Sequence, residues 1–162
     1  MTVGVIEGET LKSAIAKKIV ASLAPATVKI YKEPQVQGMV LPGIFIRTLN
    51  VSHEKQMGDT YHRAYQMNVR YHPTTNDLSV NQTLEAMAHK LLMFLTWVYV
   101  PIFLGNYNEE DEPIEEMKPV VGRQIDYSIT DGVLQLFVTY NLRGKILPPA
   151  GAKMQQIEVN QL

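Results

Sequence analysis

Residues 60–72 read TYHRAYQMNVRYH, and this stretch decides the fold class. In an extended chain Tyr61, Arg63, Tyr65, Met67, Val69 and Tyr71 fall on one face, and His62, Ala64, Gln66, Asn68, Arg70 and His72 on the other. A long strand with one mainly apolar and one polar face belongs to a sheet covered on one side and open on the other.

Upstream, Gly43 leads into Ile44, Phe45, Ile46, Arg47, Thr48 and Leu49, which read as a second strand, apolar on both faces at its start. Asn50 to Gly58 is polar and turn-prone, and is expected to be a connecting loop. Thr27 to Lys32 alternates as a short strand ended by Pro34, and Gln35 to Pro42 reads as a loop. Thr10 to Ala24 places Leu11, Ala14, Ile15, Ile19 and Leu23 on one helical stripe, with Thr10 as the cap and Pro25 as the stop.

Downstream, Pro73 ends the long strand, and Asn76, Asp77 or Ser79 can cap a helix over about Leu78 to Val98. Its apolar positions, Val80, Leu84, Met87, Ala88, Leu91 and Leu95, recur at helical spacing. Tyr99 to Pro119 holds Pro101, Pro113 and Pro119 and an acidic run, so it reads as a long, exposed, mobile loop. Gly122 to Ile129 and Val133 to Leu142 flank Asp131-Gly132, a tight-turn pair, and form a hairpin. After Gly144 the chain, Lys145 to Leu162, has few apolar residues and reads as an arm in which Ile157, Val159 and Leu162 are the candidates for docking on a neighbour. The expected architecture is therefore α+β: a mainly antiparallel sheet with two helices on one face, a long loop, a domain over residues 1–144 and a C-terminal arm over 145–162.

Composition narrows the chemistry. The 162 residues carry a formal net charge of −1 and no cysteine. Duplex binding usually needs a basic footprint that this balance lacks. Without cysteine there is no disulfide frame, thiolate zinc site or thiol nucleophile. Met1 to Gly8 shows no secretory pattern, so synthesis in the cytoplasm is expected, and the apolar run Leu91 to Leu104 is too short for a membrane span and is broken by Pro101.

Catalytic constellations are missing from the sequence. His53, His62, His72 and His89 are the only histidines, and His62 and His72 stand too far apart along one strand to share a metal. Glu109, Glu110, Asp111, Glu112, Glu115 and Glu116 lack the alternation and central glycine of a calcium loop, so a solvated acidic loop is the reading, one that would repel the phosphates of a passing duplex if it faced DNA. No phosphate-cradling glycine loop, nucleophile elbow or dinucleotide fingerprint occurs. A strand arginine is more often paired with a carboxylate across the sheet or at a subunit interface than bound to phosphate, which makes Arg47, Arg63 and Arg70 interface candidates. Tyr61, Tyr65 and Tyr71 with Met67 read as core or interface, not as a stacking platform for nucleic acid. No cofactor is expected.

LPGIFIRTLN, a polar loop, MGDTYHRAYQMNVRYHP, a long amphipathic helix and IDYSITDGVLQLFVTYNL together resemble a family of phage tail terminator proteins found in tailed phages and phage-like elements of Gram-positive bacteria. The likeness runs in element order from Leu11 to Leu142, and departs from the family's pattern at Tyr99 to Pro119, at Lys145 to Leu162 and at Thr60. The resemblance implies a non-enzymatic virion protein of the tail or neck. It implies a homo-oligomeric ring, expected to be a hexamer, on the head-proximal end of the tail tube, where it ends tube growth and docks the head connector or stopper. The tail tube protein and, in a contractile tail, the sheath protein would be partners, and DNA would pass through without sequence-specific binding. Tyr61, Arg63, Tyr65, Arg47 and Arg70 would face neighbouring subunits, and the acidic loop would meet a partner or the lumen. The alternatives are a head-completion or stopper protein of the neck, and a small metal-dependent nucleic-acid enzyme using the acidic run.

Overall fold

The computed structural model describes residues 2–3, 8–23, 28–32, 38–74 and 80–146. In chain order the elements are β1 (Thr2–Val3), α1 (Gly8–Ser22), β2 (Lys29–Tyr31), β3 (Gly43–Lys55), β4 (Thr60–His72), α2 (Val80–Leu95), β5 (Trp97–Tyr107), β6 (Pro113–Thr130) and β7 (Val133–Ile146). The strands follow the order β2-β3-β4-β7-β6-β5, with β1 paired to β7 off that path. Only β2–β3 runs parallel among these pairings. This is the expected α+β architecture.

Alternation along β4 explains its central place. Tyr65, Met67, Val69 and Tyr71 are buried, and so are Ile44 and Ile46 of β3 and Leu134, Leu136, Val138, Tyr140 and Leu142 of β7, all on the same face by register. Both helices lie on that face. α1 contributes Leu11, Ala14, Ile15 and Ile19, and α2 contributes Leu84, Ala88, Leu91 and Leu95, so one core joins the helices to the sheet.

The first helix starts two residues earlier than the expected Thr10 and places Glu9 in its first turn, where Lys12 reaches its carboxylate at 2.7 Å. That ammonium holds the Glu9 carboxyl below its usual range. The proposed stop at Pro25, the strand start at Thr27, and the caps Asn76, Asp77 and Ser79 lie outside the described residues.

Three expectations need correction. Asn50–Lys55 is not a loop: it continues β3, after a bulge between Thr48 and Asn50, as the partner of Tyr61–Gln66. The second helix does not reach Val98 but stops at Leu95, because its last carbonyls are taken by other groups. Thr96 Oγ1 donates to Leu92 O (2.7 Å), Tyr140 Oη donates to Leu95 O (2.7 Å) and Gly122 N donates to Thr96 O (2.8 Å). Finally, Tyr99 to Pro119 is not an irregular loop. Trp97–Tyr107 and Pro113–Thr130 pair as an antiparallel hairpin, from Trp97↔Val121 to Tyr107↔Pro113. Its prolines are tolerated because β5 is the last strand of the order, and β6 turns to β7 only from Gly122 onward, which leaves one side of Pro113–Val121 without a ladder partner.

The hairpin expected at Asp131-Gly132 is present, with Thr130 opposite Val133 and positive φ at both turn residues, 52° and 72°. That pair of angles is the two-residue turn whose twist matches the strands it joins. Gly132→Ala is expected to lower the unfolding free energy by about 1 kcal/mol, since a Cβ is strained at that φ. Urea unfolding would check it: an unchanged midpoint means that the turn does not constrain the register of β6 and β7.

Candidate functional site

The strand arginines divide between the two faces of the sheet. Arg63 lies on the helix-bearing face, near the turn that closes the β3–β4 hairpin, where it donates to His53 Nδ1 (3.1 Å) and to Tyr65 Oη (3.2 Å). His53 in turn stacks on Tyr61, with ring centroids 4.6 Å apart. Tyr61 and Arg63 are half-buried there, whereas Tyr65 is buried in the core and Tyr71 with it. The alternation that grouped these tyrosines therefore spans core at one end of the strand and surface at the other.

Arg47 and Arg70 lie on the opposite, outer face. Register sets Arg47 of β3 directly across from Asn68 of β4, two residues before Arg70 on the same side of the strand. Arg47 Nε donates to Asn68 Oδ1 at 3.3 Å and Arg70 Nε donates to the same oxygen at 3.0 Å. Asn68 is fully buried and its amide nitrogen donates to Leu136 O of β7 at 3.0 Å, which fixes the orientation of the oxygen. One neutral acceptor thus holds two cations.

Among the described residues no carboxylate across the sheet pairs with these arginines. Among the described residues the ion pairs are Lys12–Glu9 and Lys118–Glu116, and none of Arg47, Arg63 and Arg70 is in one. On the outer face by register, Asp126 of β6 is separated from Asn68 by Phe137 of β7. His72 closes the patch on the other side, in edge contact with Phe45, and burial followed by the Arg70 charge holds its pKa below the usual histidine value. The imidazole therefore adds little positive charge near neutral pH.

Asn68 is the residue that sequence reading missed. It was placed on the polar face, as it is, but the face is covered at that point. Only half of the signal lies in the sequence: Asn68 stands two positions before Arg70 on one face of the strand, whereas Arg47 comes opposite it only through the register of β3 and β4.

The acidic run forms the tip of the β5–β6 hairpin and the start of β6. Asn108 shapes the tip: its side-chain oxygen accepts from the backbone N–H of Glu110 (2.9 Å) and Glu112 (2.8 Å), and its own N–H donates to Glu112 O (2.9 Å). Asp111 takes a positive φ of 60° to complete the turn. Glu109, Glu110, Asp111 and Glu112 are exposed on this tip, and Glu115 and Glu116, successive in the strand, point to opposite faces. Glu116 is paired with Lys118 at 3.4 Å. The structure thus keeps the acidic residues at the surface but replaces a mobile loop with a shaped turn. No group of three His, Cys, Asp or Glu among the described residues could hold a metal ion. No helix among them is long and apolar enough to cross a membrane.

The same hairpin carries an apolar outer face. Trp97, Tyr99, Met117 and Val121 are 49%, 54%, 57% and 37% exposed, and register brings them together through the pairs Trp97↔Val121, Tyr99↔Pro119 and Pro101↔Met117. The arm residues Ile157, Val159 and Leu162 lie outside the described residues.

Comparison with known proteins gives one match by family. A family model described as phage tail terminator protein matches residues 10–149. No curated protein matches the chain. Among solved structures, a chain of a structure described as the virion of a native gene transfer agent particle superimposes with a TM-score of 0.43 at 10% identity, covering 85% of this chain and 96% of that one. A second chain gives a TM-score of 0.35 at 13% identity, covering 89% and 99%.

Proposed function

The chain belongs to the phage tail terminator protein family, and from that membership we propose that it forms a ring that caps the head-proximal end of the tail tube. As a member it is a structural protein of the virion's tail and neck, not an enzyme, and it works in assembly with other phage structural proteins. The finer reading is that identical subunits, six of them, close on the last ring of tube protein, end its growth and offer the head connector or stopper a surface, with the sheath protein as a further neighbour in a contractile tail. DNA crosses the ring without sequence-specific contacts.

The observation that carries this reading is the family match over residues 10–149. The form of the chain supports it: a single core with two hairpins whose surfaces are charged or apolar and exposed suits heterologous contacts that close into a ring. Arg47, Arg70, Tyr61 and Arg63 are the subunit-contact candidates on the two faces, and Tyr65 supports Arg63 from within the core. Glu109, Glu110, Asp111, Glu112, Glu115 and Glu116 are the partner-facing candidates, and Ile157, Val159 and Leu162 are the candidates on the arm expected from residue 145, whose first residues, Lys145 and Ile146, pair within the sheet as the end of β7.

Removal of the gene from its phage is expected to leave tails of uncontrolled length that fail to join heads, counted by electron microscopy of lysates. Normal-length tails that still carry heads would refute the reading.

A further inference from the structure

We propose that the Arg47–Arg70 pair receives the acidic tip of the β5–β6 hairpin of a second copy of this chain, so that the hairpin is the element each subunit lends to the next. The proposal rests on the ring reading above and names the contact that closes the ring.

The receiving side is built and incomplete. Two guanidiniums converge on one buried amide oxygen, at 3.3 and 3.0 Å, and their mutual repulsion is opposed by no carboxylate among the described residues. Both use Nε for Asn68, and their terminal nitrogens make no hydrogen bond among the described residues. A guanidinium anchored at Nε presents its terminal N–H groups as a fork suited to a carboxylate. Because Asn68 is itself held by Leu136 O, that fork is oriented before any partner arrives.

The lent side is complementary in charge and equally shaped. Four carboxylates, Glu109, Glu110, Asp111 and Glu112, stand exposed on a turn tied by Asn108, and among the described residues only Glu112 accepts a side-chain hydrogen bond, from Asn108 Nδ2 at 3.3 Å. Pro113–Pro119, seven consecutive exposed residues, carry the tip about 23 Å beyond Val120, where β6 enters the core. A patch on one part of the chain and its complement on another make a head-to-tail contact, which closes when the rotation per subunit divides a circle. The net charge of −1 and the isolation of the two arginines favour a protein carboxylate over the phosphates of a duplex as their partner.

The test is a charge swap on the full chain. Glu109→Lys with Glu110→Lys reverses the tip and leaves Asp111 at its positive φ, and Arg47→Glu with Arg70→Glu reverses the receiving pair. Oligomeric mass is read by sedimentation over a concentration series, with circular dichroism as the check on folding. Wild type is expected to form a closed oligomer. The tip-reversed chain, altered only at exposed positions, is expected to fold and to associate at least about tenfold more weakly. An equimolar mixture of tip-reversed and pair-reversed chains is expected to regain the oligomer. If the pair-reversed chain does not fold, Arg47→Gln with Arg70→Gln takes its place as a weakened receiver, and the tip-reversed chain decides. A tip-reversed chain that assembles as wild type overturns the contact, as does failure of two folded variants to complement each other. Loss of duplex DNA binding with unchanged assembly in the pair-reversed chain also overturns it, and assigns the arginines to phosphate. A wild-type ring indifferent to both reversals leaves the ring reading standing and removes the contact, whereas a wild type that stays monomeric removes both.

Discussion

Gly122→Val is expected to abolish cooperative folding, and Gly122→Ala to cost about 3 kcal/mol. Gly122 is where β6 leaves β5 for β7, and it sits against the end of α2. A Cβ placed there meets Leu95 O at 2.8 Å, Val138 Cγ2 at 2.8 Å and Tyr140 Cε1 at 3.2 Å. None of these can give way freely. Leu95 O is the carbonyl that accepts the buried Tyr140 hydroxyl, and the Gly122 N–H is itself bonded to Thr96 O at 2.8 Å. Moving the strand outward would therefore break two hydrogen bonds and open the core at Val138 and Tyr140 together. Overpacking costs typically reach about 1–3 kcal/mol for extra methylene groups, and a branched side chain against fixed backbone exceeds that. A domain has only about 5–15 kcal/mol in total. Urea unfolding followed by circular dichroism measures both variants. A wild-type midpoint for Gly122→Ala would show that the corner can open without loss.

Asn68→Leu is expected to lower stability by about 3 kcal/mol and to loosen both outer-face arginines. The substitution keeps the volume of the side chain but removes the donor to Leu136 O and the oxygen that accepts from both Arg47 and Arg70. A buried group left unpaired costs about 1–3 kcal/mol, and hydrogen bonds to charged groups are worth more than neutral ones. The effect should be separable from packing. Val69→Ala, in the next position and equally buried on the core face, removes apolar contacts and leaves the guanidiniums in place. Chemical denaturation gives the stability of each, and the Nε–H signals of Arg47 and Arg70 report whether they stay bonded. Sharp, shifted Nε–H signals retained in Asn68→Leu would remove Asn68 as the anchor of the pair.

These two positions show how unevenly the chain can be read. The thirteen residues of β4 announce themselves by strict alternation, because a strand half covered by helices must repeat every second residue. The stripes Leu11, Ala14, Ile15, Ile19 and Leu84, Ala88, Leu91, Leu95 do the same for the helices, and Asp131-Gly132 announces its turn through the backbone angles it needs. By contrast, Asn50–Lys55 and the residues from Trp97 to Pro119 look like loops. Polar residues and prolines have low strand preference, and what makes them strands is pairing with a distant or outer partner. The family resemblance that the strand and turn pattern carries from Leu11 to Leu142 falls inside the family match over residues 10–149.

The acidic run was legible as charge and as surface, but its shape was not, since that depends on Asn108 closing a turn between two strands that only pairing defines. In the same way Arg47 and Arg70 were legible as strand arginines, and their convergence was not. Local pattern settles which face of each element is apolar, because burial of the apolar face dominates the free energy and acts on every second or every third to fourth residue. Which polar groups meet is left to the tertiary structure, because a hydrogen bond depends on register to within a single residue, and the register of β3, β4 and β7 is set by contacts far apart in the chain.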